Sequence, residues 1–478
     1  INFQTANKKP TLVSQDSLPF GWPLSIKDAQ SMSHSSANWP ASSPDQRLFG
    51  SLTLLEGHST SVKGVLRCTD PTEQLGQLII SWADEPDICV WSLASRRVVQ
   101  RLSGHTGRVV ACVAHEPAGQ LASSGLDPSY QYRVLLHSLS NSQPLLSWRC
   151  QARVQKLLVL GDCLLAAGEG LYAFGLTDGA ELAELDSGLF GGECVTHLAA
   201  VGRRHLAAAY DRHLRLFRVG GGGGGGGGPL AHVCNSADSH RCAVTALVGG
   251  IGVEQEKQQQ LLFASASLDG EVVLWSAATV GSGAVSRLER LARFNRHADY
   301  EGEQRKFPHS VCALRRLGDR YLLAGVGYGF AVFDLVTGRT VVAELAAHRA
   351  KVSDLLVLTS PSGQLTVATA GEDASIRLWH LRGFEAAGVS STAVASLAAA
   401  AAAAVSAGDP AGSGRASSEL AGELYGHTTG VRALLDCGSE AGLVSFGLDH
   451  LIYLWSSDQA EFNWLFSAAA AAVQDCPG

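Results

Sequence analysis

Three stretches of this chain place a histidine, a hydroxyl residue, an aspartate and a tryptophan in the same order and at similar spacing. A histidine with a hydroxyl and a carboxylate could support nucleophilic catalysis, and the same set can satisfy its own hydrogen bonds inside a core. The sets are His240, Ser265, Asp269 and Trp275; His348, Thr369, Asp373 and Trp379; and His427, Ser445, Asp449 and Trp455. Because an active site is used once and this set recurs, we interpret it as structural.

Two earlier stretches carry partial copies of the same set. The first has His58, Ser81 and Trp91, and either Glu85 or the neighbouring Asp84 stands at the acid position. The second has His105, Ser123 and Asp127, and His137 stands where a tryptophan is expected. In all five copies a valine follows the histidine by four residues, so the spacing extends beyond the polar residues themselves.

The elements that must position these residues are short strands. In the last copy, residues 442–455 form two apolar segments joined by a polar turn, a pattern typical of paired strands. One such unit cannot bury its apolar face alone, which predicts a stacked array of repeats. Three further units keep the strand pattern without the network: the third from Arg153, the fourth around Asp211 and the sixth from Ser310. We expect these three to be softer, and in the sixth we expect glycines at the network positions.

This spacing resembles the WD-repeat (WD40) family of β-propellers, whose repeats begin near Gly-His and end near Trp-Asp. The resemblance covers about Leu48 to Phe466 and implies an all-β closed ring, with eight units counted and seven or eight blades expected. It also implies that the recurring set is a structural network within each blade. The chain departs from the family because Trp91, Trp275 and Trp455 are followed by serine and Trp379 by His380. The ring would be closed by residues 52–55 or by residues 462–466.

The sequence predicts three regions. An irregular or disordered N-terminal arm is expected over residues 1–47, the propeller over 48–466 and a C-terminal tail over 467–478. Low-complexity or polar loop insertions are predicted at 220–229, 253–260, 281–307 and 383–421, between strands or between units.

Composition limits the classes of partner and compartment. A net charge of -7 argues against nucleic acid as the main ligand, because phosphate binding needs clustered lysines and arginines. Eleven cysteines without a CxxC pair indicate reduced thiols, so we expect an intracellular protein, cytoplasmic or nuclear. No run approaches the roughly 20 apolar residues of a membrane-spanning helix. Because the chain begins at Ile1 and its only methionine is Met32, we expect the translation start to lie upstream, which leaves any targeting signal unobserved.

One set of potential metal ligands stands out. His232 and Cys234 are followed by His240 and Cys242, and two His-x-Cys pairs would offer zinc its preferred nitrogen and sulfur ligands. His240 already belongs to the repeat, however, so we predict no metal and no cofactor. The glycines of residues 325–329 fall at a turn between strands and predict a hairpin.

These features favour a non-catalytic protein–protein interaction scaffold within a multiprotein complex, binding other proteins or peptides, and no enzyme. The alternative is the substrate-recognition or regulatory propeller of a larger enzyme such as a ubiquitin ligase. Arg382, three residues after Trp379, resembles the motif by which some WD-repeat proteins dock on cullin-type ligase adaptors, although His380 replaces the usual acid. An enzyme built in the central channel has no support from sequence motifs.

Overall fold

The computed structural model describes residues 51–69, 77–127, 129, 131–220, 230–236, 240–251, 261–280, 284–296, 308–318, 320–359, 365–384, 416–437 and 442–456. Within these residues lie eight four-stranded antiparallel sheets, which we number as blades 1 to 8. The inner strand of each blade contacts the inner strand of the next, and the last contacts the first, so the blades form a closed ring. This confirms the predicted all-β propeller and sets the number of blades at eight.

The strands follow the chain from the inside of each blade to the outside. Blades 1 and 2 contain β2 (Val62–Thr69), β3 (Gln77–Ala83), β4 (Ile88–Ser92), β5 (Arg97–Leu102), β6 (Val109–His115), β7 (Gln120–Leu126), β8 (Tyr132–Ser138) and β9 (Pro144–Cys150). Blades 3 and 4 contain β10 (Val154–Leu160), β11 (Cys163–Gly168), β12 (Leu171–Gly175), β13 (Glu181–Leu185), β14 (Val195–Ala200), β15 (His205–Tyr210), β16 (His213–Val219) and β17 (Leu230–Asn235).

The second half of the ring repeats this order. Blades 5 and 6 contain β18 (Val244–Ile251), β19 (Leu261–Ser267), β20 (Val272–Val280), β21 (Ala284–Phe294), β22 (Val311–Leu317), β23 (Tyr321–Val326), β24 (Gly329–Asp334) and β25 (Arg339–Glu344). Blades 7 and 8 contain β26 (Val352–Thr359), β27 (Leu365–Gly371), β28 (Ser375–Arg382), β29 (Ser417–Tyr425), β30 (Val431–Asp436), β31 (Leu443–Gly447), β32 (Ile452–Ser456) and the N-terminal β1 (Ser51–Leu55). Two short 3-10 helices, Glu116–Ala118 and Ser187–Phe190, complete the regular structure of the described residues.

The core lies between the blades, where each sheet packs face to face against its neighbours. Middle strands such as β11 and β24 are buried along their whole length, because both of their faces are covered. Outer strands such as β5 alternate between exposed and less exposed residues. This difference explains why middle strands are apolar runs in the sequence and outer strands are not.

Blade 8 joins the two ends of the ring. Strand β1 pairs with β32 in an antiparallel register that runs from Ser51 opposite Ser456 to Leu55 opposite Ile452. Of the two predicted closures, the one by residues 52–55 is therefore confirmed. The alternative, residues 462–466, lies outside the described residues, as do the predicted arm, the insertion 253–260 and the tail.

The predicted bounds of two insertions need correction. In each unit the strand that carries the tryptophan position is followed by a further, outer strand. The composition of this outer strand mixes polar and apolar residues, so the sequence pattern did not predict it. Strand β21 occupies part of the predicted insertion 281–307, and β29 begins inside the predicted insertion 383–421. The predicted insertion 220–229 comes between β16 and β17 in the chain, which is a position between two strands of blade 4.

Side chains of the inner strands also tie neighbouring blades together. Asp354 of blade 7 is buried and accepts hydrogen bonds from Arg315 of blade 6, at 2.7 Å, and from the backbone N–H of Leu434 in blade 8, at 3.1 Å. Burial raises the pKa of Asp354, and Arg315 and the backbone hydrogen bonds oppose this effect. One carboxylate thus links three successive blades.

Candidate functional site

The most complete polar network lies in blade 8, on the loop before β30 and on strands β31 and β32. The Nδ1 atom of His427 is 2.8 Å from the Asp449 carboxylate, and its Nε2 atom is 2.8 Å from the hydroxyl of Ser445. The indole N–H of Trp455 donates to the same hydroxyl oxygen at 2.9 Å. The four residues predicted from the sequence are therefore in contact in this blade.

Each hydrogen bond of this network can be assigned one donor and one acceptor. In the neutral imidazole whose Nδ1 donates to Asp449, the Nε2 atom of His427 accepts a hydrogen bond from the Ser445 hydroxyl, and the Ser445 oxygen accepts one from Trp455. Burial by itself would raise the pKa of Asp449, but hydrogen bonds from His427 and from the Thr428 backbone lower it. The carboxylate is thereby held ionised as the terminal acceptor.

This arrangement contains the residue types of a catalytic triad, but a substrate cannot reach its hydroxyl group. Ser445 is fully buried, and its oxygen already accepts a hydrogen bond from the indole N–H of Trp455. A serine nucleophile must reach the substrate carbonyl, which an enclosed hydroxyl cannot do. The geometry can order strands, and it offers no surface for acyl transfer.

Blade 7 repeats the network with a threonine. His348 is 2.7 Å from the Thr369 hydroxyl and 3.0 Å from the Asp373 carboxylate, and Trp379 donates to Thr369 at 3.2 Å. Burial lowers the pKa of His348 although Asp373 opposes this effect. Burial would raise the pKa of Asp373, but the backbone N–H of Arg349 and the imidazole of His348 lower it.

A glycine two residues after the hydroxyl residue makes room for the histidine–aspartate contact. A Cβ atom at Gly371 would lie 2.3 Å from Oδ1 of Asp373 and 2.4 Å from Nδ1 of His348. At Gly447 of blade 8, the corresponding distances to Asp449 and His427 would be 3.0 and 2.8 Å. Any side chain at this position therefore crowds the contact.

Blade 1 has an alanine at the glycine position, and its acid is a glutamate, whose longer side chain still reaches the histidine. Ala83 takes the place of the glycine, and the carboxylate of Glu85 contacts Nδ1 of His58. His58 and Trp91 both bind the Ser81 hydroxyl, at 2.6 and 2.7 Å. Asp84, the other residue considered for the acid position, instead forms an ion pair with Lys63 at 2.6 Å. The acid of this network is therefore Glu85.

Blade 5 was predicted to have a complete network, and this is wrong for its acid. His240 and Trp275 bind Ser265 at 2.6 and 2.7 Å, as expected. Asp269, however, accepts hydrogen bonds from the Ser267 hydroxyl and from the Glu271 backbone N–H. Among the described residues, the buried Nδ1 atom of His240 has no hydrogen-bond partner. The physical reason is that Ser267 stands where blades 7 and 8 have glycine.

Blade 2 also loses the contact to the acid. Asp127 accepts hydrogen bonds from the backbone N–H groups of Ser129, at 3.0 Å, and Gln131, at 2.8 Å, and so orders its own lengthened turn. His105 and His137 both bind the hydroxyl of Ser123, at 2.8 and 3.2 Å. Burial lowers the pKa of each histidine to about 4, and for His105 the neighbouring His137 and Arg133 add to the effect.

Blades 3, 4 and 6 replace the polar pair with an apolar pair. In the strand registers, alanine stands at the serine position and phenylalanine at the tryptophan position, all fully buried: Ala166 with Phe174, Ala208 with Phe217, and Ala324 with Phe333. The prediction of glycines at these positions in the sixth unit is therefore wrong. A search of the sequence for matched Ala and Phe would have found this pattern.

The candidate zinc ligands have separate environments. His232 is 2.9 Å from the Asn235 side-chain oxygen, Cys234 is buried between blades 4 and 5, and His240 binds Ser265. In the part of the chain that the structure describes, no group of three or more potential ligands could hold a metal ion.

Two further sequence predictions concern turns and strand ends. The glycines of residues 325–329 lie in the hairpin between β23 and β24, where Gly327 adopts a φ of 55°. Arg382 is exposed at the end of β28 and pairs with Glu419 of β29 at 2.5 Å. Over the described ranges, no helix is long and apolar enough to span a bilayer.

Comparison with known proteins agrees with this architecture. A family model described as "WD domain, G-beta repeat" matches residues 96–130 and 339–380. Each matched segment begins near an outer strand, β5 or β25, and ends in the next blade, so the sequence repeat is offset from the blade by one strand. Strand β1 completes blade 8 by the same offset.

Two full-length relatives and one solved structure extend the comparison. "WD repeat-containing protein 41" of Mus musculus is 24% identical over 443 residues, covering 87% of this chain and 89% of the relative. The Homo sapiens protein of the same name is 23% identical over 444 residues, with the same coverage. The crystal structure of the computationally designed Ika8 protein matches with a TM-score of 0.56 and 16% identity, over 84% of this chain and 98% of that chain, which supports the fold alone. Together with the eight four-stranded blades and their His–Ser/Thr–Trp networks, the family-model match and the two relatives support the resemblance of the chain to the WD-repeat (WD40) family of β-propellers.

Proposed function

We propose that this chain is a non-catalytic protein–protein interaction scaffold that works within a multiprotein complex. The observation that carries the proposal is the enclosure of the His–Ser/Thr–Asp networks, because these are the residues best suited to acid–base or nucleophilic chemistry. Ser81, Ser123, Ser265, Thr369 and Ser445 are all fully buried. We infer that the networks stabilise the blades, which leaves the loops and turns of the ring for partners.

Exposed apolar side chains in the turns support this role. Leu268 and Leu448 stand directly before Asp269 and Asp449, between the second and third strands of blades 5 and 8, and are 56% and 46% exposed. Equivalent turns lie on the same face of the ring, so both leucines are presented on one side. Apolar side chains kept in water at repeated positions are suited to protein contacts.

The alternative, a substrate-recognition propeller of a ubiquitin ligase or another larger enzyme, depends on Arg382. Its guanidinium group pairs with Glu419 on the adjacent strand, an ordinary contact between neighbouring strands that requires no partner. We therefore favour the scaffold. A direct test is to add the purified cullin adaptor: binding that Arg382→Ala abolishes would support the alternative.

The proposed function is tested by purifying the native protein from its own cells and determining its size and its associated proteins. We expect elution well above the 50.1 kDa of the chain, with specific proteins retained in fixed ratio. A Leu268→Glu, Leu448→Glu variant should retain less of a partner that uses this face, whereas Leu145→Glu on the outer strand β9 is the matched control. Elution at the mass of the chain alone, without specific partners, would contradict the proposal.

A further inference from the structure

The inner strands of all eight blades share one irregularity. Each has a β-bulge directly after its first valine; in blade 1 the register with β3 skips one residue between Val62 and Gly64. The same shift occurs in the other seven inner strands. A bulge leaves one residue unpaired and twists the strand, so a bulged edge is a poor template for pairing with another chain.

The outer strands of blades 1 to 7 carry a bulge as well, at one fixed position. In blade 1, Val99 is skipped between the residue opposite Trp91 and the residue opposite Val90. The equivalent residue is skipped in the next six blades and is aliphatic each time: Leu145, Leu182, Val233, Leu291, Val341 and Ala421. These outer edges are therefore protected in the same way as the inner ones.

Strand β1, the outer strand of blade 8, is the exception. Its register with β32 is continuous from Ser51 to Leu55, also beside Trp455, where the other outer strands bulge. Of the eight inner and eight outer strands in the described blades, only β1 has no register shift. Its sequence, Ser-Leu-Thr-Leu-Leu, also contains no charge and no proline, which are two further means of protecting a sheet edge.

The outer edge of β1 therefore presents a straight row of backbone N–H and C=O groups. This strand is the last of its sheet, so one of its edges has no neighbouring strand within the described residues. Leu54 is 38% exposed on this strand, whereas Leu55 is buried between blades 8 and 1. Such a row pairs with another extended backbone, and the exposed leucine favours an apolar side chain opposite it.

We propose that β1 binds an extended segment of a partner protein, which adds to blade 8 as a fifth strand. This inference rests on the proposed scaffold function and specifies how one partner docks. The segment would alternate apolar and polar residues and contain no proline, because each paired residue must offer its backbone N–H. Glu56, exposed directly after β1, favours a basic residue at the corresponding end of the segment.

A second copy of this chain suits the edge less well than a partner segment. Strand β1 has only five residues and is the outermost strand of its blade, so two rings that met there would share little more than this strand. Such a contact would bury less than the roughly 1,000 Å² of a stable interface. A flexible segment is not limited in this way, because it can continue past the strand along the rim of the ring.

The direct test measures binding of a fluorescent peptide, three valine-threonine repeats between two lysines, by the whole chain. We expect Leu54→Lys to weaken binding by about tenfold or more, because it replaces the apolar contact with a charge at the edge. The matched control is Val99→Lys, at a residue that is 39% exposed on the bulged edge of β5, and it should retain binding. Equal effects of the two variants would overturn the proposal.

Two methylated peptides test the backbone hydrogen bonds themselves, with the wild-type chain, and so remain informative if Leu54→Lys does not fold. N-methyl groups on the valines or on the threonines block opposite edges of the peptide, because successive N–H groups of a strand point to opposite sides. Only one edge can face β1 while a valine lies beside Leu54. One methylated peptide should therefore bind about tenfold or more weakly, and the other should bind as before. Equal affinities would contradict strand pairing.

Hydrogen exchange of the amides of β1 identifies the occupant of the edge. We expect the outward-pointing amides to exchange rapidly in the isolated chain and slowly once the peptide is bound. Protection in the isolated chain at every concentration would show that another segment of the same chain covers β1. Protection that grows with concentration would show a second copy. Either result overturns the proposal.

The proposal and the scaffold function can fail separately. If the native protein retains specific partners and all of them persist in the Leu54→Lys variant, β1 is not a docking site and the scaffold function stands. If the wild-type protein retains no partner, the scaffold function fails, whether or not the peptide binds. Loss of one partner in Leu54→Lys, but not in the Val99→Lys control, supports both.

Discussion

The hydroxyl of Ser267 donates a hydrogen bond to the carboxylate of Asp269, and Ser267 stands where the complete networks have glycine. We therefore expect Ser267→Gly to release Asp269 toward Nδ1 of His240, which has no partner among the described residues. A carboxylate hydrogen bond favours the protonated imidazole, so the His240 pKa, which burial lowers, should rise. NMR titration of the histidines measures this change.

Ser267→Ala is the matched control, because it removes the hydroxyl but keeps the Cβ atom that crowds this contact. Its His240 pKa should stay close to that of the wild type. If alanine raises the pKa as much as glycine does, competition by the hydroxyl, and not the space taken by Cβ, diverts the carboxylate.

In blade 8 we expect Ser445→Ala to lower the free energy of unfolding by about 1–3 kcal/mol, because the buried Trp455 N–H and His427 Nε2 lose their partner. Adding Trp455→Phe removes one of the unpaired groups and recreates the Ala–Phe pair of blades 3, 4 and 6. The double variant should therefore lose less stability than the sum of the single variants. Urea unfolding followed by circular dichroism gives the coupling energy, and strict additivity would contradict the role assigned to the hydroxyl.

Blade 2 should make the stability of the protein depend on pH. His105 and His137 have pKa values of about 4 in the fold, below the ordinary value of 6.5. The unfolded chain therefore binds more protons between these values, so the stabilising contribution is complete above pH 6.5 and decreases as the pH falls toward 4. Melting temperatures measured across this range should decrease with falling pH.

The variant His137→Trp provides the comparison for this effect. It places the usual indole beside Ser123, removes one titrating group and should flatten the decrease in melting temperature. An unchanged slope would show that other histidines, such as the half-buried His197, whose pKa is also lowered to about 4, dominate the response.

The carboxylate of Asp354 allows a test of coupling between blades. We expect Asp354→Ala to cost about 1–3 kcal/mol, because it leaves the buried N–H of Leu434 without an acceptor. Asp354→Asn keeps an oxygen for Leu434 and should cost less, although it loses the charge that pairs with Arg315. Thermal unfolding compares the two, and equal losses would assign the effect to the Arg315 ion pair.

Much of this fold could be predicted from the sequence because the network residues recur at a regular spacing. The pattern formed by His427, Ser445, Asp449 and Trp455 recurs along the chain, and each copy indicates two strands joined by a turn. Outer strands such as β21 and β29 were missed, since one face meets solvent and their composition resembles that of a loop.

The spacing alone does not predict which aspartate contacts the histidine of its blade. Asp269 and Asp449 occupy the same position, six residues before a tryptophan. The stretches between hydroxyl and acid differ at two positions, and the second of these, Ser267 in one case and Gly447 in the other, lies beside the histidine–aspartate contact. The greater softness of blades 3, 4 and 6 stays a prediction. Their matched apolar pairs leave no polar group stranded at these positions, so hydrogen exchange of β15 compared with β19 is the measurement that decides it.

The pairing of β1 with β32 has a consequence for how the chain is made. Leu55 can pair with Ile452 only after Ile452 has been synthesised, so the ring cannot close until nearly all of the repeats have left the ribosome. At about 5–20 residues per second, this delay is on the order of tens of seconds. Throughout that time blade 8 does not exist and a strand of the nascent chain is unpaired, a period in which binding by a chaperone would prevent pairing with the wrong edge.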